Sequence, residues 1–544
     1  MGNTLSVHQE NDHEVKLGGS RGSIRGLQLD SKARRYLGIP YALPPVGDLR
    51  WRRPQPLPDS YSYSESDGTP FDATKFGPVC LQPQYSPHIK INIPGQVYSE
   101  DCLRLNIWTP VEDIGTGLLP VYVWIHGGWF QIGDPSHEKK MDATELLSTG
   151  NFKAVFVAVG YRLNVFGFLS GSALDVEGQE SGNYGLWDQR LALEWIYDNV
   201  SSFGGDPHNI TVSGRSAGAY SVEAQTLYDF RKQPSSYPKA LFRKLVMISN
   251  AIPAQPKTSE ECQPQFDELC EHFNVPRGVS DSKKMELLRA IDGRKLTDAV
   301  MKLNNHTFRP VTDGVFILQG LNYYIQDGSF AREFKERGMK LFIGEALNEE
   351  TLYGATNSPS PDAAALHRQV ANYYAPDTTR RVLEHYKLPE TVKKDDWQAI
   401  FGRIVADGQV CAPSRILADS LFRHGVPVAD VWRYQFAYRL SFITEEMAPS
   451  RFGIAHAMDR PLWNFSIRHG PTPEERILMQ DWINGLAAFV AGDASYDYGT
   501  SRPNEHKVIT GDGWLEVQVD ARWAELLEVG KVFSGKSSRS NLDD

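Results

Sequence analysis

Several features are missing from this chain, and each absence removes a class of function. No stretch approaches the roughly 18 consecutive apolar residues of a membrane-crossing helix, so no transmembrane segment is expected. Arginine clusters and basic stripes are also lacking, and 67 acidic residues outweigh 57 basic ones for a net charge of −10. Nucleic acid is therefore not an expected partner. Cysteine is scarce, five residues in 544, which excludes a scaffold built mainly on disulfides. The length alone suggests three or four domains, yet no Pro/Gly/Ser linker, repeat or low-complexity run divides them. The opening segment Met1 to Glu10 has neither the basic region nor the apolar core of a secretory signal, so a cytoplasmic protein is expected. That segment does fit the short myristoylation pattern through Gly2 and Ser6. One acyl chain gives only marginal membrane binding, and Glu10, Asp12 and Glu14 would repel anionic lipid.

Apolar strand-like runs and helical stretches alternate from about residue 105 to 440. This is the pattern of an α/β fold with a mostly parallel sheet covered on both faces. One large domain is expected over residues 15–533, between polar tails at 1–14 and 534–544. Residues 258–335 and the C-terminal third are expected to wall the site.

The most informative stretch is Gly214-Arg215-Ser216-Ala217-Gly218. Before it, Asn209-Ile-Thr-Val-Ser213 is short, β-branched and preceded by Gly204-Gly205-Asp206-Pro207, which predicts a buried strand. After it, Ala217 to Asp229 is rich in helix formers. A serine at a tight strand-to-helix turn is the geometry of a nucleophile elbow. A second G-x-S-x-G, Gly18-Gly19-Ser20-Arg21-Gly22, lacks both flanks and predicts a hairpin or loop. Upstream, the strand-like Pro120 to Ile125 runs into His126-Gly127-Gly128-Trp129-Phe130. Backbone N–H groups of such a loop can face a developing oxyanion, together with the N–H after the nucleophile.

With these elements the chain resembles the type-B carboxylesterase/lipase family, which includes the cholinesterases. The resemblance extends from about Val15 to Phe533. It rests further on Tyr36-Leu-Gly-Ile-Pro-Tyr-Ala-Leu-Pro-Pro45, Ser99-Glu-Asp-Cys-Leu-Arg-Leu-Asn106, Tyr161 to Leu169, Asn183 to Gln189, and Phe203-Gly-Gly-Asp-Pro207. It implies an α/β-hydrolase whose insertions wall an active-site gorge, a small-molecule ester as substrate, and no cofactor or metal. It also implies a disulfide between Cys80 and Cys102 and a possible one between Cys262 and Cys270. On one helix the latter pair would stand about 12 Å apart, beyond bridging; Pro264 suggests a helix starting after Cys262, which leaves the bridge open. Cys411 reads as a core residue.

The nucleophile Ser216 needs a base, and the base needs an acid to orient it, in the order Ser, Asp/Glu, His. After the strand-like Lys340 to Ile343, position alone leaves Glu345, Glu349 and Glu350 as acids. The resemblance selects Glu349, although Glu350 stands where relatives carry glycine. Six histidines follow, and His456, within Phe452-Gly-Ile-Ala-His-Ala-Met-Asp459, is the expected base. Asp459 takes the place of a commoner glutamate. Alignment of the oxyanion loop, Gly127 included, places the donors at Gly128, Trp129 and Ala217. Ser249, after Leu245 to Ile248, resembles a serine that adjoins the triad in relatives.

Two departures stand out. Arg215 replaces the glutamate usual before the nucleophile, and an uncompensated cation there would disfavour the imidazolium unless Glu349, Glu350 or Glu223 neutralised it. Trp129 replaces a small residue, and its indole either walls the pocket or packs into the core. Between Cys80 and Cys102, Pro83, Pro87 and Pro94 interrupt any amphipathic lid helix, and no tryptophan is present for a cation cage. The expectation is a serine carboxylesterase for small to medium esters. Alternatives are a specialised hydrolase or acyltransferase acting on a natural-product ester, a true lipase, or a non-catalytic interaction protein.

Overall fold

The computed structural model describes residues 8–85, 96–111, 117–135, 142–175, 182–232 and 240–535. A 13-stranded sheet organises them. Its main path uses β1 (Glu10–Lys16), β2 (Ser23–Leu29), β3 (Ala33–Pro40), β4 (Arg104–Pro110), β5 (Leu119–Ile125) and β6 (Val155–Val159). It continues through β7 (Gly205–Arg215), β8 (Lys244–Ile248), β9 (Lys340–Ala346), β10 (Val431–Phe436), β11 (Glu505–Ile509) and β12 (Leu515–Val519). The spatial order is β1-β2-β3-β4-β6-β5-β7-β8-β9-β10-β11-β12, with the short strand Phe71–Asp72 beside β2. Every pairing from β6 to β11 is parallel, and the pairings at both ends are antiparallel.

Side-chain alternation explains why the central strands read as continuous apolar runs. In β5, Val121, Val123 and Ile125 enter one core, while Tyr122 and Trp124 enter the core on the opposite face. Neither face meets water, so no polar period survives. Helices Tyr184–Asn199 and Ala217–Arg231 pack into the first core, and helix Pro473–Ala491 into the second.

Two expected boundaries need correction. Residues 10–14, expected in a polar tail, belong to β1, paired in register with β2 from Glu10–Leu29 onward. They are polar because β1 is an edge strand exposed along most of its length. Pro264 does not delay its helix, which runs unbroken from Ser259 to His272 behind a capping box of Thr258 and Glu261. Proline there removes the bond to the carbonyl of Glu260 and crowds it, and Glu260 is exposed, so water can satisfy that carbonyl. Cys262 and Cys270 are therefore about 12 Å apart along the axis, and both are free, buried thiols. Cys80 and Cys102 are joined as a disulfide, and Cys411 is buried and free.

No helix among the described residues is long and apolar enough to cross a membrane. Gly2, and residues 86–95 of the loop between Cys80 and Cys102, lie outside the described residues.

Candidate active site

The order β4-β6-β5-β7 reverses the direction of strand addition between β5 and β7. In open α/β sheets ligands bind outside the carboxyl ends of strands at such a reversal. The predicted catalytic and oxyanion residues follow the carboxyl ends of the strands at this reversal and of the parallel strands beside it. β5 delivers His126 to Phe130, β7 delivers Ser216, and β8 delivers Ser249. β9 leads to Glu349, and the chain beyond β10 leads to His456.

Ser216 occupies φ 56°, ψ −124°, outside the regions a non-glycine residue favours. Strain of this kind persists only where neighbours fix it. Its N–H donates to Ile248 O at 2.8 Å, pinning the elbow to β8. The flanking glycines do not supply the unusual φ; the serine does. Their role is close approach. A Cβ on Gly218 would stand 2.0 Å from Ile125 O, and one on Gly214 would stand 2.3 Å from the Gly218 carbonyl carbon. The helix beginning at Ala217 can thus lie against the end of β5.

His456 Nδ1 meets Glu349 Oε2 at 2.5 Å. Glu349 Oε1 accepts from Ala346 N at 2.8 Å, so both oxygens are held. The loop of His456 is braced by the residue before the acid: Asn348 Oδ1 accepts from Ile454 N at 3.0 Å, and Asn348 N donates to Ile454 O at 2.9 Å. Glu349 is 1 % exposed, against 7 % for both His456 and Ser216, so the carboxylate is farther from water than the groups it serves.

Sequence reasoning missed Tyr353, which follows Glu349 by one helical turn and therefore shares its face. Its hydroxyl lies 3.4 Å from His456 Nδ1, and it lines the same pocket as Ser216. Burial, and then the charge of Glu349, hold that hydroxyl well above the usual tyrosine range, so it stays a neutral donor.

The loop after β5 turns sharply, with positive φ at Gly128, Trp129 and Phe130. Gly128 has no room for a side chain, since a Cβ would stand 2.0 Å from Ile132 O. A Cβ on Gly127 would stand 2.5 Å from Arg215 O and 3.0 Å from Ser216 Cβ, which places this loop directly against the elbow. Among the described residues no backbone acceptor takes the N–H groups of Gly128 or Trp129. Trp129, Ser216, Ala217, Asn250 and Tyr353 line one pocket. The Trp129 indole is 8 % exposed and packs against Tyr85 and Tyr353 at ring separations of 5.6 and 6.4 Å. It both walls the pocket and joins a buried cluster.

A family model described as the carboxylesterase family matches residues 9–529. The chain belongs to the carboxylesterase family. It is an α/β-hydrolase, and its chemistry is hydrolysis of ester bonds. It is 39% identical to an uncharacterised esterase/lipase of Schizosaccharomyces pombe over 93% of both chains. Identity is 38% to a carboxylic ester hydrolase of Gibberella moniliformis over 95% of both. It is 29% to an acetylcholinesterase of Bungarus fasciatus, over 87% of this chain and 78% of that one.

Against the family pattern, the surroundings of this carboxylesterase's elbow need one correction. Arg215 is not an uncompensated cation, and none of the expected glutamates neutralises it. Its Nη2 lies 3.0 Å from Asp459 Oδ1, and both side chains are buried. The two groups are close but their N–H and oxygen are not aimed at one another, so this is an ion pair rather than a hydrogen bond. Asp459 Oδ2 also accepts from Trp463 Nε1 at 2.7 Å and Tyr434 Oη at 3.4 Å. Glu223 instead accepts from Ile252 N, and burial raises its carboxyl from 4.5 to about 8. Glu345 is occupied by Arg415 at 2.5 Å, and Glu350 is half-buried beside the start of its helix. Ser249 has φ 55°, and its buried hydroxyl has no hydrogen-bond partner among the described residues.

Proposed function

We propose that this carboxylesterase hydrolyses small to medium carboxylic esters through an acyl-enzyme on Ser216, with His456 as base and Glu349 as its orienting acid. The 2.5 Å contact between His456 Nδ1 and Glu349 carries the reading. It commits Nδ1 to the carboxylate and leaves Nε2 for the serine proton. Ser216 Oγ attacks the ester carbonyl while His456 takes its proton. Negative charge on the tetrahedral oxygen faces the N–H groups of Gly128, Trp129 and Ala217, the last at the start of a helix. Protonated His456 then donates to the departing alcohol. Water, deprotonated by the same imidazole, attacks the acyl carbon and frees Ser216.

The size preference rests on Trp129, which lines the pocket at Ser216 and packs its ring against Tyr353 of the same pocket. A series of p-nitrophenyl esters of increasing acyl length tests it: kcat/KM is expected to peak at short or medium chains. A maximum on long-chain emulsified esters, with a jump in rate at the solubility limit, would contradict it.

A further inference from the structure

The pocket at Ser216 shares Arg309, Tyr373 and Gln409 with an adjoining cavity. We infer that this adjoining cavity is a subsite for an anionic group of the substrate, with Arg309 receiving a carboxylate of an acid-bearing ester. The inference rests on the esterase reading of the same site.

Arg309 is held in place from both sides. Phe308 exchanges two hydrogen bonds with the side chain of Gln131, and Val311 exchanges two with the side chain of Asn183. Gln131 also donates to Trp129 O at 2.9 Å, so the backbone beside Arg309 is referenced directly to the oxyanion loop. The guanidinium lies near the rings of Tyr373, Phe130 and Tyr220 at 5.2, 5.7 and 5.9 Å. Its Nη2 donates to Gln409 Oε1 at 2.7 Å. Gln409 lies on a π-helical turn, Asp407–Cys411, a local irregularity that often marks functional positions.

Arg309 has five donors in a rigid fork suited to a carboxylate, and among the described residues no acidic side chain ion-pairs with it. In a chain with an excess of acidic residues, neither cavity is lined by an aspartate or glutamate among the described residues. Lys257 adds a second cation to the larger cavity, donating to Ala371 O. Glu261, which acts on Lys257 electrostatically, is exposed and engaged in its helix cap. Cys262 contributes a neutral wall, since burial pushes its thiol up to about 11. A half-buried cation left without a counter-charge favours an anionic ligand, and its fixed position beside the nucleophile turns that preference into substrate selection.

Matched ester pairs test this. On the acyl side, p-nitrophenyl half-esters of succinate, glutarate and adipate are compared with equally long esters ending in a carboxamide. On the alcohol side, butyrate esters of hydroxy acids are compared with those of the corresponding hydroxy amides. The readout is the ratio of kcat/KM for acid over amide. Arg309→Met is expected to lower that ratio roughly 10- to 100-fold on one side, mainly through KM, and Arg309→Lys, which keeps the charge but not the fork, to lower it less. A ratio unchanged by Arg309→Met on both sides would overturn the inference, as would equal loss on acid and amide. If Arg309→Met fails to fold, competition with the wild-type enzyme decides. Glutarate monoamide is then expected to inhibit at least about tenfold better than glutaramide, and equal inhibition overturns the inference. Hydrolysis of neither ester by the wild-type protein would instead sink the esterase reading beneath it.

Discussion

Arg215 and Asp459 form a buried ion pair, 3.0 Å apart, between the nucleophile elbow and the segment carrying His456. Breaking such a pair from one side leaves a buried charge and typically costs about 3–5 kcal/mol. Arg215→Gln and Asp459→Asn are each expected to lower the thermal midpoint markedly. The double variant should recover much of the loss, because it leaves no charge behind. Strictly additive losses would mean that the two groups do not compensate each other.

Glu349→Gln is expected to reduce turnover by roughly 10³- to 10⁴-fold with the fold retained, because an amide cannot hold the imidazole in the required tautomer. Glu345→Gln should act differently: it breaks the buried contact with Arg415 and lowers stability before it lowers turnover. Steady-state kinetics beside thermal melts of both variants separate the two effects. Comparable kcat losses in two equally stable variants would reassign the acid.

Glu223 predicts a pH-dependent stability. Its carboxyl sits at about 8 in the folded protein against 4.5 ordinarily, chiefly through burial. The folded state therefore keeps a proton that the unfolded state loses above about pH 4.5. Glu223's contribution is full below that value and declines as pH rises toward 8. Glu223→Gln imitates the neutral acid, so it should raise the melting temperature at pH 8 and change it little at pH 4.5. A shift equal at both pH values would show that proton linkage at Glu223 is not the cause.

Trp129→Gly should widen the acyl range. Glycine suits the φ of 57° there and keeps the backbone N–H, while removal of the indole enlarges the pocket. The expected outcome is a relative gain in kcat/KM for branched or bulky acyl groups, measured against a butyrate ester. A variant that folds normally and shows no change of selectivity would place the indole outside the substrate's path.

The parts legible in the sequence were those whose chemistry is local. Ser216 stood out because strand, turn and helix are contiguous, and the apolar runs of β5, β7 and β9 reflect burial on both faces. Glu349 was selected among three glutamates only by resemblance; position alone left Glu345 and Glu350 open. Arg309, Gln409 and Tyr373 carry no local signal, since they reach the pocket through packing of segments far apart in the chain. Tyr353 was accessible in principle through its four-residue spacing from Glu349. Pro264 suggests a helix starting after Cys262, but the helix begins at Ser259 behind its capping box and carries the proline inside it, which keeps Cys262 and Cys270 apart on one axis.

Covalent labelling tests the central claim most directly. Wild-type protein and the variants Ser216→Ala and Ser20→Ala are treated with a fluorophosphonate and assayed in parallel on a p-nitrophenyl ester of short chain. Ser20 lies in the turn between β1 and β2, far in sequence from the elbow, and serves as the control. One labelled residue, Ser216, is expected in the wild type and in Ser20→Ala. Ser216→Ala should take up no label and lose turnover by about 10⁵- to 10⁶-fold. Labelling and turnover that survive in Ser216→Ala would contradict that claim.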